Sequence, residues 1–196
     1  MTTNDFKFEH KDQLANIIEE QFDAELSKLV ELVAIPSVAW ESFDISKVTD
    51  SARKVRELAL DAGFESAEIL SVEYAGGKMG MPAVVARKEA SQGYPTFLLY
   101  AHHDVQPAGD LTLWKTDPFT ATQVGDRLYG RGAADDKAGV IAHLAAFSAV
   151  RKVLGDSFKV GVTLFIEGEE EAGSPSFEDF LSHYKQKLAA DYIVVA

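Results

Sequence analysis

Cysteine is missing from all 196 residues, which excludes a disulfide framework and any thiolate metal site. A bound metal must therefore take nitrogen and oxygen donors. Basic residues are scarce: 19 Lys and Arg face 31 Asp and Glu, giving a net charge of -12. That balance works against nucleic-acid and anionic-membrane partners and suits cations. No apolar run approaches the ~20 residues of a membrane span. The longest helical one, residues 139–150, carries His143. The N-terminal stretch MTTNDFKFEHKDQ has neither a basic start nor an apolar centre, so no secretory leader is expected and a cytoplasmic location is. Internal repeats and low-complexity segments are also lacking.

What is present is an ordinary globular composition, 46% hydrophobic and 26% charged. A chain of this length suits one α/β domain that buries roughly 70% of its unfolded-state surface. Apolar positions recur at steps of three and four over residues 12–33, which predicts an amphipathic helix ended by Pro36. A second helix is predicted over residues 46–62, with Gly63 as its left-handed stop. Apolar segments 67–74 and 81–87 flank AGGKMG and read as a hairpin. TFLLYA (residues 96–101) and KVGVTLFI (159–166) read as strands buried on both faces, with a helix over 137–154 between them. Ser174 and Pro175 read as the cap and first turn of a helix to Leu188, followed by the strand DYIVVA. Strands alternating with helices predict a three-layer helix/sheet/helix fold whose later, central strands are mainly parallel.

Three polar segments sit at the ends of these elements. AHHDVQP (101–107) leaves one buried strand, EGEEEAGSP (167–175) leaves another, and YGRGAADDKAG (129–139) opens a helix. Ligands in open α/β sheets lie beyond the carboxyl ends of the strands, where all three segments would meet. His102 and Asp104 are two apart, so in extended chain they face the same way and Asp104 can hold the second imidazole nitrogen. A His, an Asp and a Glu converging there make a first shell for zinc, with a second Glu as general base. Each segment alone has another reading: a polar strand end, a solvated acidic loop, or a glycine-rich anion cradle before a helix. The cradle lacks P-loop lysine spacing, and two carboxylates repel phosphate. Spacing does not decide among Glu169, Glu170 and Glu171. His143 reads as a core histidine, His10 and His183 as surface residues, Trp114 and Phe119 as loop anchors, and Arg131 as a support for loop carbonyls.

The order AHHDVQP, WKTDPF, LYGRGAADDKAG, EGEEEAGSP, running from about Pro36 to the last residue, resembles a family of zinc-dependent exopeptidases. That family includes carnosinase-like dipeptidases, glutamate carboxypeptidase, aminoacylase, acetylornithine deacetylase and succinyl-diaminopimelate desuccinylase, and HDVQP and DDK are most similar to its dipeptidase branch. The resemblance implies two Zn2+ ions, with Mn2+ or Co2+ as substitutes. It makes His102 a ligand of one ion, Asp104 its catalytic orienting partner, Asp135 the bridge between ions and Glu171 a ligand of the other. Glu170 becomes the base toward a bridging water, and the Asp135–Asp136 peptide is expected to be cis. Small peptides are the implied substrates, with N-acyl amino acid deacylation or a noncatalytic metal-binding fragment as alternatives. The resemblance further implies that residues 1–196 form the N-terminal part of a catalytic domain, incomplete at its C-terminus. The remaining ligands and a lid or dimerisation domain would lie elsewhere, the isolated chain would be inactive, and the full-length form would be a homodimer.

Overall fold

The computed structural model of the protein describes residues 9–196. The leader expectation rests largely on residues 1–8, which lie outside them. Helix α1 (Lys11–Val33) buries Leu29, Leu32 and Val33 in its last turns, whereas Ile18 and Phe22, on the same apolar stripe, stay exposed. Helix α2 (Ser46–Ala62) buries Val48, Ala52, Val55, Leu58 and Ala59 at helical spacing. It stops at Gly63, whose φ of 103° is the left-handed conformation that glycine adopts without a Cβ penalty.

Strand β1 (Ser66–Leu70) pairs antiparallel with β4 (Ala83–Lys88), and the connection carries a small hairpin of β2 (Glu73–Tyr74) and β3 (Lys78–Met79). Strand β5 (Thr96–His102) is followed by a long loop holding a one-turn 3-10 helix (Leu111–Leu113). The hairpin of β6 (Thr122–Val124) and β7 (Arg127–Tyr129) comes next. Helix α3 (Lys137–Leu154) leads to β8 (Gly161–Glu167), and β9 (Tyr192–Val195) ends the chain. The main sheet has five strands in the order β1-β4-β8-β5-β9. Its β8, β5 and β9 run parallel, and β1 and β4 run antiparallel on the other side.

Alternation along the strands builds the two outer layers. Val84, Ala86, Ala101, Val162, Leu164 and Ile166 face α1, α2 and α3, where Phe64 stacks on Phe147. Ala83, Val85, Leu98 and Phe165 face the other way, against Phe180 of α4 (Phe177–His183) and Leu188 of α5 (Lys185–Leu188). The predicted three-layer arrangement is therefore present. With its trailing 3-10 turn, α3 reaches 21 residues at a mean hydropathy of 1.3, long and apolar enough by length and composition to cross a bilayer. The segment 139–150 thus understates the length of this helix, whose Val140, Leu144 and Phe147 pack into the core.

Ser174 does not cap a helix reaching Leu188. It adopts φ 50°, the helix begins at Phe177, and the turn at Tyr184 divides it in two. The Glu169 carboxylate, seven residues upstream, accepts the backbone N–H and hydroxyl of Ser176, so the helix entrance is held from the acidic loop. At the far edge, Tyr192, Ile193, Val194 and Val195 are all exposed and β9 pairs with β5 alone among the described residues. Replacing Leu164, fully buried in the central strand, by Ala is expected to cost about 3 kcal/mol of stability in urea titrations. Val194→Ala on the exposed edge strand should change it by less than about 0.5 kcal/mol.

Candidate metal centre

Parallel pairing of β5 with β8 brings His102 opposite Glu167, so the two strands release their polar segments at the same edge. Asp104, fully buried, joins those segments. One of its carboxylate oxygens accepts the Glu170 N–H at 3.1 Å and the other accepts the Glu171 N–H at 3.0 Å. The predicted contact with His102 is present in altered form. The imidazole Nδ1 lies 3.1 Å from the Asp104 backbone carbonyl and 3.4 Å from its carboxylate, because that carboxylate is turned to the acidic loop.

The third segment enters through α3. Asp136, the residue before its first turn, accepts the His102 backbone N–H at 3.1 Å, and the Asp135–Asp136 peptide is cis, as the resemblance implied. Asp135 projects into solvent and its Oδ1 stands 3.1 Å from His102 Nε2. Glu170 Oε2 is 3.8 Å from the same nitrogen. Donor atoms of His102, Glu170 and Glu171 all fall within 4.8 Å of one another. Donors on one tetrahedral zinc stand about 3.3 Å apart, so His102 and Asp135 already have ligand spacing, and Glu170, exposed to solvent, is free to rotate. The donor set of nitrogen and carboxylate oxygen suits zinc and equally manganese or cobalt.

Burial opposes an imidazolium at His102, but the Asp104 hydrogen bond and the charges of Asp104, Asp136 and Glu170 outweigh it and raise its pKa to about 9. The ring is thus a cation among acids, occupying the electrostatic place of a metal. His103 is its opposite. Buried completely, with Nε2 on the Pro82 carbonyl at 2.9 Å, it is held neutral by desolvation, which lowers its pKa to about 4.

Three glutamates follow Gly168, and the structure separates them. Glu169 is buried and fully engaged, accepting from Ser176 and from the Met81 N–H at 2.9 Å, so it is a strut. Glu170 is open to solvent beside His102. Glu171 is held by Gln106, which donates to its carboxylate at 2.6 Å and to its backbone carbonyl at 3.2 Å; Trp40 donates to that carbonyl at 3.0 Å.

Gln106, Asp136 and Trp40 were not among the expected residues. Period-two spacing from His102 through Asp104 to Gln106 carried a signal for the first; Trp40 had none, because its contact spans most of the chain. Lys137 was quoted only as part of DDK, yet it is fully buried with Nζ donating to the carbonyls of Leu32 and Ile35 at 2.8 and 2.6 Å. The remaining expectations hold in part. His143 is buried with Nε2 on the Tyr100 carbonyl, His183 is exposed, and His10 is half-buried beside Gln13. Trp114 anchors its loop through Ala108, and Arg131 donates to the Pro107 carbonyl.

With this geometry, the comparisons with known proteins converge. The profile of Peptidase family M20/M25/M40 matches residues 98–196, and the chain belongs to that family. Over 191 residues it is 32% identical to a Beta-Ala-His dipeptidase of Mus musculus, covering 95% of this chain and 37% of that protein. It is 34% identical to a Cys-Gly metallodipeptidase of Schizosaccharomyces pombe over 91% of this chain and 38% of that one. The crystal structure of human carnosine dipeptidase 1 superposes with a TM-score of 0.80 at 30% identity, over 95% of this chain and 40% of that one. The chain therefore spans about two fifths of the length of these relatives.

Protonation of His103 gives a stability signature. Its folded pKa of about 4 lies below the unfolded value of ~6.5, so the unfolded chain binds the extra proton between the two. The contribution is complete above pH 6.5 and falls by about 3 kcal/mol as pH drops to 4. His103→Gln is expected to lose this part of the acid dependence, read as the difference between variant and parent in urea titrations across that window.

Proposed function

We propose that the protein to which this chain belongs is a metal-dependent dipeptidase and that residues 1–196 are the N-terminal part of its catalytic domain. The observation that carries the reading is the gathering of His102, Asp135, Glu170 and Glu171 at one sheet edge of an M20-family chain. The relatives' names, all dipeptidases, favour small peptides over N-acyl amino acids. A cytoplasmic location and a homodimeric full-length form belong to the same proposal.

His102, Asp135 and Glu171 would hold two zinc ions, with Asp135 between them. Bound zinc polarises a scissile carbonyl and acidifies water. The protein's own groups do the rest. Asp104 fixes the imidazole on its Nδ1 side and sets the main chain of both glutamates. Glu170, exposed and unclamped, accepts a proton at its carboxylate and returns it to the leaving amine. Glu171, clamped by Gln106, is built to stay still as a ligand.

Because Glu170 falls within the donor cluster, a ligand role competes with the base role. Calorimetric zinc titration separates them. Glu170→Gln is expected to leave affinity within about threefold while reducing peptide turnover of the complete protein by ~100-fold or more. A tenfold loss of zinc affinity in that variant would make Glu170 a ligand. Asp135→Asn should weaken binding of zinc in either case.

Zinc needs the neutral imidazole, and His102 holds its proton to about pH 9. Zinc affinity should therefore rise about tenfold per pH unit between pH 7 and 9, with a proton released per His102 engaged. Calorimetry in buffers of different ionisation enthalpy measures that release.

A further inference from the structure

The clamp on Glu171 is only as firm as the backbone beneath Gln106. The Gln106 side-chain nitrogen donates to Glu171 Oε2 at 2.6 Å and to the carbonyl of the same residue at 3.2 Å, so one carboxylate oxygen is fixed and the other is left for a metal. Gln106 itself lies four residues beyond the end of β5 and has no strand partner among the described residues. The main chain on either side must hold it. Before it, the Val105 N–H donates to the Ser37 carbonyl at 3.0 Å. After it comes Pro107, the start of the long loop to β6.

One arginine grips that loop at both ends. Arg131 Nη2 donates to the Pro107 carbonyl at 3.2 Å, and the Arg131 backbone N–H donates to the Pro118 carbonyl at 2.6 Å. Between these points Trp114 turns back onto the loop, its indole N–H on the Ala108 carbonyl at 2.8 Å and its ring centre 5.5 Å from the guanidinium carbon. A guanidinium over an indole face is attracted by the ring's quadrupole. Arg131 makes no ion pair among the described residues, although acids outnumber bases by 31 to 19, and its Nε is buried without an acceptor. Its placement thus answers to a carbonyl and a ring of the loop rather than to a carboxylate.

Arg131 also stands four positions before Asp135, in the segment that opens α3. Asp104 ties the segments leaving β5 and β8, and Asp136 ties the entrance of α3 to His102. Arg131 closes the third side, from the Asp135 segment to the backbone of the Gln106 clamp. We infer that Arg131 is a positioning residue of the centre, one that holds the Gln106 amide on the Glu171 carboxylate by gripping the loop that follows it. That role bears on the chemistry only where Glu171 is a ligand, and so rests on the metal-centre reading, whereas the contact itself does not.

The test is NMR of the metal-free chain, followed by zinc calorimetry. The Gln106 side-chain amide protons, assigned by their loss in Gln106→Leu, are expected to exchange with water at least about tenfold more slowly than those of the exposed Gln186. Arg131→Met keeps the apolar stem and removes every side-chain donor, and it should abolish that protection. Arg131→Lys, which exchanges the planar fork for a single ammonium, should lose part of it and covers the case in which the Met variant does not fold. Protection absent from the parent, or unchanged in both variants, overturns the assignment. Zinc binding separates positioning from an independent contribution. Gln106→Leu and Arg131→Met should each weaken it by about tenfold. The double variant should match Gln106→Leu alone within about twofold, because Arg131 acts through Gln106. Losses that multiply to about a hundredfold put Arg131 on a separate route and overturn the assignment. A parent chain that binds no zinc counts against the metal-centre reading alone, and the exchange rates then decide the role of Arg131.

Discussion

The buried carboxylate of Asp104 is the constraint on which the centre depends. It belongs to the segment leaving β5, yet its two oxygens are bonded to the main chain of the segment leaving β8. Both N–H groups open a one-turn 3-10 helix, where an acceptor is needed and negative charge is favoured. A single side chain thereby fixes the distance between an imidazole and two glutamates that lie some seventy residues apart in sequence. Parallel pairing of the strands supplies coarse alignment, and Asp104 supplies the last ångström.

Electrostatics then follows from crowding. Asp104, Asp136 and Glu170 stabilise the charged form of one imidazole, and Asp135 and Glu171 complete the acidic surroundings. Two of these acids accept a hydrogen bond from a neutral donor, Asp136 from the His102 N–H and Glu171 from Gln106, and the more exposed pair, Asp135 and Glu170, faces solvent. A net charge of -12 over the whole chain extends the same preference for cations beyond the centre.

Much of this was legible before any coordinates, for identifiable reasons. Helices α2 and α3 declare themselves through uninterrupted apolar spacing, and β5 and β8 through continuous apolar runs that only a strand covered on both faces tolerates. His102 and the acids of the other two segments could be nominated because polar residues at the ends of strands and at a helix entrance meet at one edge, although only resemblance singled out Asp135 and separated the glutamates. What stayed hidden depends on contacts between distant residues. Glu169 holding the entrance to α4 moved that helix past Ser174, and no local rule anticipates a cap supplied from another loop. The β6 strand is three residues long and mostly exposed, so its sequence carries no periodic signal. The engagement of the Asp104 carboxylate by the acidic loop is likewise a tertiary choice.

Lys137 ties the first helix to this centre. Its ammonium reaches the carbonyls of Leu32 and Ile35 at the end of α1, and burial brings its pKa down to about 7 against the pull of Asp104. The side chain starts two residues after Asp135, so the segment carrying that acid is moored to α1. A shortened protein beginning after that helix would keep the Ile35 carbonyl and lose that of Leu32, leaving the Lys137 ammonium with half of its acceptors and loosening the loop that carries Asp135. The opening segment of the chain is in this sense fastened to the candidate metal centre through one lysine.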